Sequence, residues 1–265
     1  MPPAWPPEGL QTLHAPAHWR LVDFISDLHL AQAPSPTFDA WAAYMRHTPA
    51  DAVLILGDLF EAWVGDDARS EPFEAACLAV LADAAQRCGV GFMCGNRDFL
   101  VGDEALRACG ALALPDPTLL HALGQRLLLS HGDLLCLDDV EYQRFRAQAR
   151  APAWRQTVLA MPLPQRRILA RQMRDASQQR QQHDPTLAWA DVDPAAALAW
   201  LAEAGSAHLV HGHTHRPGDV ELAAGRWRHV LTDWDLAASP PRAEVLRLSA
   251  AGLQRIALAD CVAVD

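Results

Sequence analysis

Five short apolar runs punctuate the chain, and each gives way to a polar cluster. Arg20–Ser26 ends in Asp27, Ala52–Leu56 in Gly57-Asp58, Val90–Cys94 in Gly95-Asn96, Arg126–Ser130 in His131-Gly132, and Ala207–Val210 in His211-Gly212-His213. Each run has the length of a buried strand. Between them, Thr37–His47, Glu71–Arg87 and Asp103–Cys109 carry helix-like spacing. This alternation predicts an α/β fold, and polar residues gathered at strand C-terminal ends are where such sheets build sites. Arg228–Thr232, Ala243–Leu248 and Leu253–Leu258 predict further strands joined by tight turns. Residues 1–18 are Pro-rich and read as a lead-in, which leaves 19–265 as the core domain.

One stretch breaks the strand series. Tyr142–Gln182 holds nine arginines and one acid, Asp175, so it carries +8 while the rest of the chain carries −18. Helix-spaced apolar residues run through it (Trp154, Val158, Met161, then Ile168, Leu169, Met173), and Pro162 and Pro164 divide it into at least two helices. It reads as a helical cap inserted over the core, spanning about 139–190.

Composition narrows the chemistry. An apolar share of 51% over 265 residues is enough for a substantial core. All 22 basic residues are arginine, so a Schiff-base lysine and a Walker A lysine are both excluded. The net charge of −10 argues against a surface devoted to nucleic acid. No run reaches 18 apolar residues and the N-terminus lacks the pattern of a signal peptide, so a cytoplasmic protein without a spanning helix is expected. The six cysteines show no CxxC pairing and read as reduced, buried thiols.

In order, the five strand ends read D-x-H (Asp27, His29), G-D (Asp58), G-N-R-D (Asn96 to Asp98), H-G-D (His131 to Asp133) and G-H-T-H (His213, His215). Taken singly, such strings are turns and helix caps. Together they offer seven metal donors: Asp27, His29, Asp58, Asn96, His131, His213 and His215. A mixed carboxylate, amide and imidazole set suits Mn²⁺, Fe²⁺ or Zn²⁺. Seven donors exceed the needs of one ion, and two ions sharing a carboxylate would serve attack on a phosphoryl centre.

This order of motifs resembles the calcineurin-like metallophosphoesterases from Val22 to about Pro217. The resemblance implies two facing β-sheets flanked by helices and a dinuclear site. One ion would take Asp27, His29, Asp58 and His215, the other Asp58, Asn96, His131 and His213, with Asp58 bridging. Asp58, Asn96, His131 and Arg97 would be the catalytic residues. Many members carry His after the Asn, as acid toward the leaving group. Arg97 stands there in this chain; it cannot supply a proton near neutral pH but can bind a phosphate oxygen bidentately.

Further strings narrow the resemblance: Ser26–Leu30, Ile55–Asp67, Gly95–Leu100, His131–Asp139, Tyr142–Arg146, Arg171–Ser177 and His211–Pro217. They resemble the UDP-2,3-diacylglucosamine pyrophosphatase (hydrolase) family of lipid A biosynthesis. That resemblance implies two Mn²⁺ ions per chain and attack of a metal-activated water on the α-phosphorus. The products would be UMP and 2,3-diacylglucosamine 1-phosphate (lipid X). It also implies a helical cap and substrate contacts from Asn96, Arg97, Asp139, Tyr142, Ser177 and His213. The family's Asn and Lys after the cap Ser are missing; Gln181 would replace the amide, and Arg180 or His183 the lysine. A diacyl substrate further implies that the basic cap faces the anionic cytoplasmic surface of a Gram-negative inner membrane, as a peripheral monomer. The alternatives are another phosphodiesterase or nuclease, or a non-catalytic scaffold on the same fold. Trp63 is read as a packing aromatic, Asp66 and Asp67 as a turn near Asp58, and His211 as a satisfied strand histidine.

Overall fold

A computed structural model describes residues 10–183 and 191–261. In chain order its elements are β1 (Gln11–His14), β2 (Val22–Ile25), α1 (Pro36–His47), β3 (Ala52–Leu56), α2 (Pro72–Ala85), β4 (Gly89–Met93), α3 (Asp103–Cys109), β5 (Leu112–Leu114), β6 (Thr118–Ala122) and β7 (Gln125–Ser130). Then follow α4 (Val140–Ala149), α5 (Pro152–Leu159), α6 (Leu163–His183), α7 (Pro194–Ala204), β8 (His208–His211), β9 (Gly218–Ala223), β10 (Arg226–Val230), β11 (Glu244–Ser249), β12 (Gly252–Ala257) and α8 (Leu258–Cys261).

The strands form two six-stranded sheets, ordered β1-β6-β7-β8-β10-β9 and β12-β11-β2-β3-β4-β5. Alternation along each strand explains why they face one another. Val22, Phe24, Leu54 and Leu56 of one sheet meet Leu120, Leu127, Leu129 and Val210 of the other in a buried layer. The opposite faces are covered by helices. Ile25, Val53 and Ile55 pack with Trp41, Tyr44, Cys77 and Leu81 from α1 and α2. Leu128 and Leu209 pack with Trp200 and Leu201 of α7. This is the expected pair of facing sheets flanked by helices. All six cysteines are free.

Two differences from the sequence expectation matter. The segment read as lead-in supplies a strand, because β1 pairs in parallel with β6 (Gln11 opposite Thr118) through its backbone while its side chains stay largely exposed. The second concerns several of the cap arginines, which turn inward onto the acidic body, whereas Arg144 and Arg171 stay exposed. Arg166 is buried, donates to Val64 O at 2.6 Å and grips Asp67 with both terminal nitrogens. Arg167 pairs with Glu74 at 3.1 Å and Arg146 with Asp133 at 2.8 Å. Arg150 donates to Gly95 O at 2.9 Å and lies over the Phe99 ring, which also meets Trp154. Helices α4 to α6 are therefore seated by complementary charge as well as by Phe145, Trp154 and Leu169.

Candidate metal centre

The site lies where β2, β3, β4, β7 and β8 run out. These strands are parallel within each sheet (β2 with β3, β3 with β4, β7 with β8), so their C-terminal ends come to one edge. Beyond the strands the backbone stays stitched: Asp27 N donates to Gly57 O at 3.1 Å, His29 N to Asp58 O at 3.0 Å, and Gly212 N to His131 O at 3.0 Å.

The backbone conformation itself marks the site. Six non-glycine residues have positive φ among those described, and five are candidate ligands: Asp27 (56°), His29 (48°), Asp58 (54°), His213 (66°) and His215 (51°). Such conformations cost roughly 1–3 kcal/mol each and concentrate where function fixes the geometry. Two glycines permit the crowding. A Cβ on Gly95 would lie 2.1 Å from Asp58 Oδ1, and one on Gly212 would lie 2.2 Å from Asp27 Oδ2.

All seven predicted donors come together. Asn96 Oδ1 is 2.9 Å from His131 Nε2 and 2.8 Å from His213 Nδ1. His29 Nε2 and His215 Nε2 face each other at 3.1 Å, and His215 Nε2 lies 3.4 Å from Asp27 Oδ1. Two triads have donor atoms mutually within 4.8 Å: Asp27, His29 and His215, and Asp27, Asp58 and His131. Asp27 is common to both triads, and Asp58, the expected bridge, groups with Asp27 and with His131, whose Nε2 meets Asn96. Asp58 Oδ1 accepts the Arg97 backbone N–H at 2.8 Å, and Asp27 accepts the His213 backbone N–H at 2.9 Å and the Ser26 hydroxyl.

The electrostatics favour a cation. Asp27, Asp58 and Asp98 are all buried here. Burial pushes the Asp58 carboxyl up to about 7, against the pull of His131. Burial would lower His131, but Asp58, Asp133 and Asp27 outweigh it and hold the imidazole at about 9. Burial would also raise Asp27, yet its hydrogen bond with His215 and the charges of three histidines hold it well below the usual carboxylate range. Desolvation lowers His29 to about 4 and His213 to about 3, so both present neutral rings with lone pairs. Buried carboxylates, an amide oxygen and the neutral imidazoles of His29 and His213 fit a hard or borderline divalent ion.

The predicted substrate residues divide. Tyr142 stacks on His213 (centroids 5.8 Å apart, 29° between planes), and its hydroxyl donates to Asp133. Asp139 caps α4 by accepting Tyr142 N–H at 2.9 Å. Arg97 is half-buried beside the donors, its Nη1 3.8 Å from Glu61. Ser177 is half-buried on α6, one turn beyond Arg174. Gln181, with Arg180 and His183, lies outside the residues whose side chains are described. Trp63 packs on Phe60 and donates to Asp66, which also caps α3; Asp67 holds Arg166. His211 is buried with Nδ1 2.8 Å from Gly212 O, but its Nε2 has no partner among the described residues, so it is only half satisfied. Sequence reasoning missed Glu61 and Arg174, which meet at 3.1 Å; both sit inside strings quoted above, and only the fold brings them to one place.

Residues 21–217 match the calcineurin-like phosphoesterase family, and the chain belongs to that family. Among curated relatives, the UDP-2,3-diacylglucosamine hydrolase of Chromobacterium violaceum is 46% identical over 221 residues, covering 80% of this chain and 90% of that protein. Those of Xanthomonas axonopodis pv. citri (44% over 248 residues, 89% and 98%) and Bordetella parapertussis (44% over 237 residues, 86% and 92%) are similar to the same extent. Among solved structures, the phosphoesterase Yfce from E. coli superposes with a TM-score of 0.44 at 16% identity, covering 92% of this chain and 97% of that one.

Proposed function

We propose that this chain hydrolyses the pyrophosphate bond of UDP-2,3-diacylglucosamine, giving UMP and 2,3-diacylglucosamine 1-phosphate. The observation that carries the reading is the junction of donor cluster and cap: Tyr142 of α4 lies on His213, so the helices roof the donors rather than standing apart. The names of relatives at 44–46% identity point to the same substrate. The chemistry sought is attack by water on the α-phosphorus.

Asp27, His29, Asp58 and His215 would hold one divalent ion, and Asp58, Asn96, His131 and His213 the other, with Mn²⁺ as the ion in both. Such a pair lowers the pKa of a shared water and offsets charge on phosphoryl oxygens. The chain's own residues do the rest. Asn96 is held by two imidazoles and so presents its oxygen in a fixed direction. Arg97 offers a guanidinium to a phosphate oxygen in place of a general acid, which suits a leaving group that departs without a proton. Asp139, Tyr142, Ser177, Gln181 and His213 would contact the substrate, and Tyr142, stacked on His213, would join the cap to the donors.

The cap, 139–190, takes the diacyl part and faces the membrane. Val140, Leu159 and Ile168 are exposed on it, and no helix among the described residues is long and apolar enough to cross a bilayer. Arg146, Arg150, Arg166, Arg167 and Arg174 meet groups of the body, and the exposed apolar residues would add to the attraction of the basic cap for an anionic surface. The enzyme acts as a monomer at the cytoplasmic face. Incubation of the protein with the lipid nucleotide and Mn²⁺ should release UMP, and Asp58→Asn should abolish it. Cleavage of other phosphodiesters without UMP release would favour a different phosphodiesterase or nuclease; no turnover and no metal binding would favour a scaffold.

A further inference from the structure

Glu61 belongs to the string that follows β3, and none of the donor motifs uses it. Its backbone N–H donates to Leu30 O at 2.9 Å, and Leu30 bridges Phe60, so the extensions of β2 and β3 remain joined up to this residue. Its side chain is only 14% exposed. Three groups from three parts of the chain converge on it. His29 Nδ1 lies 3.5 Å from Oε2, while Arg97 Nη1 and the cap's Arg174 Nη1 lie 3.8 Å and 3.1 Å from Oε1.

Each contact has a physical consequence. A carboxylate beside the outer nitrogen of a histidine favours the tautomer with its proton there, which leaves the inner nitrogen free. For His29 the inner nitrogen is Nε2, which faces His215 and Asp27. Two guanidiniums near one another repel unless an anion lies between them. Glu61 is that anion, and it holds Arg97, next to Asn96, together with Arg174 of α6. The same side chain is thus in touch with the donor cluster, the phosphate-facing arginine and the cap.

We propose that Glu61 is a positioning residue that couples seating of the cap to the metal centre. It aims His29 inward and fixes Arg97 and Arg174 beside the donors. The proposal rests on the metallohydrolase reading above.

Titration calorimetry with Mn²⁺, steady-state kinetics of UMP release and thermal melting test it on full-length protein. Glu61→Gln keeps the shape and removes the charge. It should weaken Mn²⁺ binding by about 10–100-fold and raise KM, with an unchanged melting temperature. Arg174→Gln should raise KM and, through Glu61, weaken Mn²⁺ binding by a smaller factor than Glu61→Gln; a wild-type Mn²⁺ affinity in Arg174→Gln would overturn the coupling to the cap. Should Glu61→Gln fold poorly, Glu61→Asp retains the charge one methylene further back and should recover most of the metal affinity. Wild-type Mn²⁺ affinity and KM in Glu61→Gln would overturn the coupling alone. A wild-type protein that binds no Mn²⁺ would overturn the metal-centre reading and the coupling with it.

Discussion

Gly95→Ala is the smallest change that should disable the site, and its effect can be worked from the geometry. The added methyl would stand 2.1 Å from Asp58 Oδ1, 2.8 Å from its Cγ and 2.6 Å from its backbone N. Non-bonded heavy atoms prefer roughly 3.5 Å, so the carboxylate must retreat by more than about 1 Å. Asp58 has little room to do so. Its backbone is left-handed, its carbonyl accepts the His29 N–H at 3.0 Å, and its Oδ1 accepts the Arg97 N–H at 2.8 Å. Retreat breaks that last bond, a charge-assisted one worth about 1.5–3 kcal/mol, similar to the usual cost of overpacking. At about 2–4 °C per kcal/mol, the melting temperature should fall by about 3–12 °C. A donor misplaced by 1 Å should lower turnover by about 10²-fold or more. Scanning fluorimetry, Mn²⁺ calorimetry and UMP release would measure the three effects. A variant with wild-type melting, metal affinity and turnover would refute the claim that Gly95 and Asp58 are in enforced contact.

Other expectations follow from the same contacts. Arg97→Lys keeps the charge but loses the planar fork; KM for the lipid nucleotide should rise about tenfold, equivalent to about 1.4 kcal/mol, and an unchanged KM would remove Arg97 from phosphate binding. Arg166→Met removes a buried guanidinium from Val64 O and Asp67, so it should lower stability by about 1–3 kcal/mol and speed limited proteolysis within α4 to α6; equal cleavage rates would show that Arg166 does not seat the cap. Burial lowers the pKa of His229 despite Asp219, and of neighbouring His208, so both rings take up a proton less readily in the fold than in the unfolded chain. As pH falls below about 6.5 the unfolded chain takes up protons that the fold does not, and stability should drop from pH 7 to pH 5. His229→Gln should flatten that slope in urea titrations; an unaltered slope would place the loss elsewhere.

Much of this molecule is written in its local pattern. The strands that carry the site, β2, β3, β4, β7 and β8, are buried on both faces and therefore read as apolar runs, and each stops at its donor. What escaped detection lacks such a pattern. β1 and β9 are largely exposed and held by backbone pairing, so their side chains carry no alternation. The sequence of α7 is mostly alanine with a few large apolar residues, which leaves no polar face to set a period. The left-handed conformations of Asp27, His29, Asp58, His213 and His215 have no residue-type signal, because glycine is the usual occupant. The direction of the cap arginines is also a tertiary fact. The acids that receive them, Glu61, Asp67, Glu74 and Asp133, lie on body segments before the cap, with partners 13 to 113 residues apart in sequence. Part of the +8 is thus engaged by the body, while Arg144 and Arg171 stay exposed.

Hydrolysis of UDP-2,3-diacylglucosamine in ¹⁸O-water with Mn²⁺ tests the central claim most directly, because it reports both the bond cleaved and the phosphorus attacked. The expected result is UMP carrying one ¹⁸O, with unlabelled 2,3-diacylglucosamine 1-phosphate. Absence of UMP, or label in the lipid phosphate instead, would contradict it.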